Sequence, residues 1–220
     1  MIISQNLNTF KKNISSEVTL VAVSKTKPIA DIQEAYEAGH RVFGENKVQE
    51  MINKYEELPK DIRWHMIGHL QRNKVKYMAH FVDLIHGVDS FKTLVEINKQ
   101  AIKHNRVIHC LLQAKIAKEE TKFGLRFNEI EDLLQSEELT DLTNVKVKGL
   151  MGMASFTSDH TEVSKEFESL KTFFDKMNSI GAGLSILSMG MSGDYELAIA
   201  KGSNMIRVGS AIFGPRNYIA

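Results

Sequence analysis

Eight short β-forming runs alternate with longer segments of helical spacing along the 220 residues. The runs are TLVAVS (19–24), RVFGE (41–45), RWHMIG (63–68), VDLIHG (82–87), VIHCLLQA (107–114), VKVKGLMGM (145–153), LSILSM (184–189) and MIRVGS (205–210). In the segment before run seven, Val163, Phe167, Leu170, Phe174 and Met177 recur at helical steps and share one face. Phe91, Leu94, Val95 and Ile102 form a second such stripe. Gly39, Gly181 and Gly202 stand where helices should end. Strands that alternate with helices pair in parallel through right-handed crossovers, and eight units predict a closed (β/α)8 TIM barrel rather than an open doubly wound sheet. After run eight too few residues remain for a full helix, whereas Ile3, Leu7, Phe10 and Ile14 form a stripe before run one. Strands one and eight are neighbours in a closed barrel, so an extra N-terminal helix is expected to cover that seam. With no Pro/Ser-rich linker or tandem repeat, residues 1–220 read as one domain.

Composition narrows the partners. Lysine and arginine total 28 against 27 acidic residues, which gives no electrostatic case for nucleic acid. The one cysteine, Cys110, rules out an intramolecular disulfide and fits a reducing compartment. The N-terminus lacks the pattern of a secretory signal, and no apolar run has the length of a membrane span. A cytoplasmic protein without membrane contact is the expectation.

In such barrels the site lies at the C-terminal mouth, so the residues at strand ends carry the information. Run one ends at Lys25, and run two runs into Gly44, Glu45 and Asn46. Runs seven and eight lead into SMGMSGD (188–194) and RVGSAIFG (207–214). Loops at those two positions often hold a phosphate through backbone N–H groups. Ser188, Ser192, Gly209 and Ser210 suit that role, although Ser192 equally suits the N-cap of the next helix, with Asp194 beside it. Barrel closure sets Lys25 next to the 207–210 segment. An amine beside a phosphate site is the layout of a Schiff-base barrel; the plain alternative is a solvated strand end. A class I aldolase-like barrel acting on a sugar phosphate is one such reading.

VAVSKTKP, FGENKVQE, WHMIGHLQRNK, IHGVDS, GLMGMA and LSMGMSGDYELAIAKGSNMIRVGSAIFG, in this order across nearly the whole chain, resemble the pyridoxal phosphate homeostasis proteins. That group is similar to the barrel domain of alanine racemases without their β-rich second domain. The resemblance implies pyridoxal 5′-phosphate in covalent linkage to Lys25. It implies a phosphate held by Ser188 or Ser192 with the backbone of Gly209 and Ser210. Arg207 would face the pyridine nitrogen, and Asn46 would touch the cofactor or order its loop. Members of the group are regarded as carriers and regulators of the cofactor pool, without established catalysis. Apo forms of pyridoxal phosphate enzymes are the implied recipients, and a monomer is expected because racemase dimers use the second domain. The alternative is a small amino-acid racemase, which needs a second acid/base across the substrate. No tyrosine stands at a strand end to supply it; those at 36, 55, 77, 195 and 218 fall in helical or tail segments. Two positions depart from the pattern: Lys115 replaces a usual asparagine and Thr121 a serine. Lys115 is thereby a competing amine or a solvated lysine.

His65, His69 and His86 are expected to serve packing or loop hydrogen bonds, with no metal. Trp64, alternating with His65, is expected on the outer face of the barrel. Met151, Met153, Met189 and Met191 read as adaptable packing around a ring-shaped ligand. KEETK (118–122) reads as a solvated charged loop.

Overall fold

A computed structural model describes residues 2–119 and 123–215. Eight parallel strands close in sequence order into a barrel. They are β1 (Thr19–Val23), β2 (Val42–Glu45), β3 (Arg63–Met66), β4 (Leu84–Val88), β5 (Ile108–Ala114), β6 (Val145–Gly152), β7 (Ile186–Met191) and β8 (Met205–Val208). Each overlaps one of the eight runs. The helices are α1 (Ile2–Lys12), α2 (Ile29–Glu37), α3 (Val48–Glu57), α4 (Val75–Met78) and α5 (Phe91–Lys103). They continue with α6 (Phe127–Gln135), α7 (Glu137–Thr140), α8 (His160–Ser179), α9 (Tyr195–Ala200) and α10 (Ser210–Phe213). Among the described residues no helix is long and apolar enough to cross a membrane.

The seam closes by pairing Thr19 with Met205 and Val21 with Arg207. Helix α1 packs against α10 and α2, with Leu7 and Phe10 buried. Asn6 donates to the carbonyl of Ile212 at 3.1 Å, which ties α1 to the short turn of helix that follows β8. The expected N-terminal cover of the seam is therefore present. Gly39, Gly181 and Gly202 sit at helix ends with φ of 81°, 90° and 92°, a conformation that side chains with a Cβ resist.

Two apolar layers follow from the period of two along each strand. Leu20, Phe43, Trp64, Ile85, Leu187 and Ile206 point outwards into the layer between sheet and helices. Val21, Val42, Leu84, Leu111, Met151 and Met205 fill the barrel interior. Trp64 belongs to the outer layer, as its alternation with His65 requires.

Two helical stripes differ in detail from the sequence reading. On α8, Phe174 packs partly buried against the core as expected, and Phe173, whose ring stacks on Phe127 of α6 at 4.4 Å, is buried as well. On α5, Leu94 is buried, but Val95 and Ile102 are exposed, and Ile97 and Ala101 complete the inner face.

Candidate functional site

Lys25 lies two residues beyond β1, in a turn whose next residue, Thr26, has φ of 64°. A threonine in the left-handed region is strained, and other groups must hold it there. Glu50 on α3 accepts from the Thr26 N–H at 2.5 Å. The Lys54 ammonium, also on α3, donates to the carbonyl of Ser24 at 2.8 Å, to Glu45 at 2.8 Å and to Glu50 at 2.7 Å. Ser24 closes the cluster by donating to Glu45 at 2.6 Å. The turn that carries Lys25 is thus clamped from behind by a buried lysine between two carboxylates. Sequence reasoning missed this cluster. Glu50 and Lys54 show only the ordinary i,i+4 spacing of a solvated helix pair.

Lys25, Asn46, Ser192, Arg207, Gly209 and Ser210 all line one cavity of about 450 Å³ at the C-terminal mouth. Lys27, His69 and Gln113 add polar groups, while Ile67, Met153 and Met191 supply apolar wall. No carboxylate lines it among the described residues. Of the four methionines singled out, Met151 packs inside the barrel and Met189 in the outer layer, so only two face the cavity.

Ser192 accepts the Gly209 N–H at 3.2 Å, joining the loops after β7 and β8. It does not cap α9. Asp194 holds that place, and its carboxylate accepts the Met191 N–H at 2.6 Å. Ser188 is fully buried behind the cavity wall, where it accepts from Arg207 at 2.7 Å. Arg207 also donates to the carbonyl of Gly152 at 3.0 Å. Burial brings the Arg207 guanidinium down to about 10, with Asp194 opposing, so it remains a cation at neutral pH. Lys27 donates to the carbonyls of Phe213 at 2.8 Å and Pro215 at 3.0 Å, which fastens the end of α10. Asn46 is held by close packing: a Cβ on Gly68 would come within 2.5 Å of the Asn46 carbonyl oxygen.

His69 pairs with Asp89 at 3.2 Å and stacks on Phe123 at 3.9 Å. His65 and His86 bond to each other at 3.0 Å. Among the described residues no three His, Cys, Asp or Glu side chains gather as metal ligands. Lys115 does not line this cavity. Tyr36, Tyr55, Tyr77 and Tyr195 do not line it either; Tyr218 and Thr121 lie outside the described residues. In the 118–122 segment, Lys118 pairs with Glu162 at 3.0 Å, and residues 120–122 lie outside the described residues.

The family model described as "Alanine racemase, N-terminal domain" matches residues 2–217. The pyridoxal phosphate homeostasis protein of Aquifex aeolicus strain VF5 is 41% identical, covering 90% of this chain and 87% of that protein. The chain belongs to the alanine racemase N-terminal domain family, among the pyridoxal phosphate homeostasis proteins. The structure of PipY from Synechococcus elongatus PCC7942 without the cofactor superposes with a TM-score of 0.91 at 36% identity, covering 96% of this chain and 100% of PipY. A second PipY structure, with pyridoxal phosphate bound, gives 0.88. Alanine racemase of Clostridium difficile 630 shares the barrel at a TM-score of 0.81 and 14% identity; this chain is covered to 99% and the racemase to 58%.

The buried titratable groups make stability depend on pH. Burial pushes His40 down to about 4, and it also lowers His65 and His86. The unfolded chain therefore binds more protons, and the stabilisation present above the ordinary histidine range is lost as pH falls towards 4. His40 alone accounts for about 2 kcal/mol of that loss between pH 7 and pH 5. Glu45 acts in the opposite sense. Burial raises it to about 7 against the pull of Lys54, so its contribution is lost as pH rises from the ordinary 4.5 through 7. Over the same window the gain from Glu45 offsets the His40 loss, so the sign is set by the buried His65 and His86, and urea unfolding is expected to show a lower midpoint at pH 5 than at pH 7. In Glu45→Gln the difference should widen; a midpoint that rises on acidification would contradict this assignment.

Proposed function

We propose that the chain binds pyridoxal 5′-phosphate in this cavity and serves homeostasis of the cofactor, holding and releasing it with negligible turnover. The observation that carries the reading is a cationic cavity without a carboxylate among the described residues, with one amine on a braced turn and the joined loops after β7 and β8 at its side. Such a donor set fits an aromatic phosphate ester: the apolar wall takes the ring and the cationic and N–H donors take the anion. PipY, a relative of like fold, has been seen with this cofactor bound.

Bound there, the cofactor supplies an aldehyde able to condense with a primary amine, with loss of water. Lys25 is that amine. Ser192, with the peptide groups of Gly209 and Ser210, takes the phosphate, each charge-assisted hydrogen bond contributing on the order of 1.5–3 kcal/mol. Ser188 supports Arg207 from behind. Arg207 would donate to the ring nitrogen and, being a permanent cation, would keep it unprotonated, which would make the ring a poorer electron sink. Asn46 would border the ring. Residues 1–220 act as one domain and as a monomer, in the cytoplasm, with apo forms of pyridoxal phosphate enzymes as recipients.

The racemase alternative needs an acid/base opposite Lys25. Among the described cavity residues His69 is the imidazole available, and it is engaged by Asp89 and Phe123. The test is incubation of the cofactor-loaded protein with L-alanine in deuterated water, read by NMR and chiral chromatography. No steady α-deuterium uptake and no D-isomer are expected. Turnover of either kind would replace the carrier with a racemase.

A further inference from the structure

Three polar side chains fill the interior of the barrel beneath Arg207, where apolar residues would ordinarily pack. Ser188, His86 and His65 are each fully buried. Their strand neighbours Leu187, Ile85 and Trp64 face the outer layer, so period two turns all three inwards. Buried polar groups are costly unless each finds a partner of the right kind. Here the partners form one continuous line. Arg207 Nη1 lies 2.7 Å from Ser188 Oγ, which lies 3.1 Å from His86 Nδ1. His86 Nε2 lies 3.0 Å from His65 Nδ1, and His65 Nε2 lies 3.3 Å from Asp83 Oδ2. Asp83 immediately precedes β4, on the rim opposite the cavity, and pairs there with the exposed Arg63 at 3.2 Å.

The carboxylate end fixes the direction of every bond through neutral imidazoles, whereas the serine oxygen at the other end could accept from both of its neighbours. A guanidinium can only donate, and an ionised carboxylate can only accept. Arg207 therefore donates to Ser188, whose own proton goes to His86 Nδ1. A neutral His86 accepting there carries its proton on Nε2 and donates it to His65 Nδ1. His65 in turn carries its proton on Nε2 and donates it to Asp83. The reverse polarity would aim a lone pair of His65 at the carboxylate. Burial favours neutral imidazoles at both positions, and the His65 hydrogen bond holds Asp83 down at about 2, in agreement with this assignment.

We propose that Ser188, His86 and His65 are positioning residues for Arg207, linked in one polarised hydrogen-bond chain that crosses the barrel from the cofactor mouth to Asp83 on the opposite rim. What Arg207 is positioned to do rests on the cofactor reading above. The chain sets the guanidinium against the cavity wall and uses only one of its five N–H donors. The bond to Gly152 uses a second, and the rest of the group remains for the cavity.

The first test needs no cofactor. Nitrogen-15 spectra of the histidine-labelled full chain should show His65 and His86 neutral, with the proton on Nε2, between about pH 7 and pH 8. A proton on Nδ1 of His86, or an imidazolium at either position, overturns the hydrogen-bond chain. The second test reads its consequence. Ser188→Ala removes one of the two bonds that fix Arg207, and affinity for pyridoxal phosphate should fall about tenfold. Ser188→Thr keeps the hydroxyl and should stay within about twofold of the parent protein. Equal losses in both variants, or none in Ser188→Ala, would end the positioning role. If the unaltered protein takes up no pyridoxal phosphate, the cofactor reading fails, while the imidazole tautomers still decide the hydrogen-bond chain.

Discussion

Lys25→Ala should abolish covalent retention of pyridoxal phosphate. Borohydride treatment of the loaded parent protein is expected to leave one pyridoxyl group on the peptide that carries Lys25, and none in the variant. The side chain is half-buried at the mouth, and the bonds that brace its turn run through the Thr26 N–H and the Ser24 carbonyl. Truncation therefore removes the amine while the clamp of Glu50 and Lys54 stays in place. The fold should persist with an unchanged circular dichroism spectrum. Residual binding through Ser192, Gly209 and Arg207 should remain, weaker by about 100-fold. An adduct of the same yield in Lys25→Ala would move the attachment elsewhere, with Lys115 the next amine to examine.

The architecture was legible because each of its elements is specified locally. Strand runs repeat eight times with helical stripes and helix-ending glycines between them, and a closed barrel accommodates eight such units with a short final turn. Closure then put Lys25 beside Arg207 before any contact was known, since β1 and β8 must pair. The candidate site was legible to the same extent: six residues drawn from four strand ends do meet at one cavity. Finer roles depended on direction, which spacing does not encode. Ser188 and Ser192 are four residues apart and chemically identical, yet one points into the barrel and the other into the cavity. Lys27 stands two residues from Lys25 and fastens three carbonyls at the end of α10, at Phe213, Gly214 and Pro215. Lys54 and Glu50 looked like a surface pair and instead brace the Lys25 turn. His65 and His86 lie 21 residues apart in sequence and bond only because adjacent strands turn both inwards. In each case the missing information was which neighbour a polar group faces, a tertiary property.

Arg207→Met is expected to separate binding from stability. The guanidinium is buried and, among the described residues, forms no salt bridge to a carboxylate, which is why burial lowers it despite Asp194. Holding a cation there costs the apoprotein free energy, and an anionic cofactor would recover part of it. Methionine fills a similar volume and relieves the desolvation, but it leaves the Gly152 carbonyl without its donor, a loss of about 1–3 kcal/mol. These effects offset, so the apoprotein should unfold within about 2 kcal/mol of the parent. Affinity for pyridoxal phosphate should fall far more, by about 100-fold, because the cavity loses its buried positive charge. The rise in thermal midpoint on adding cofactor, which follows from selective binding to the folded state, should shrink accordingly. Thermal melts with and without pyridoxal phosphate measure both quantities at once. A large loss of apoprotein stability with unchanged affinity would make Arg207 a structural residue of the barrel with no part in holding the cofactor ring.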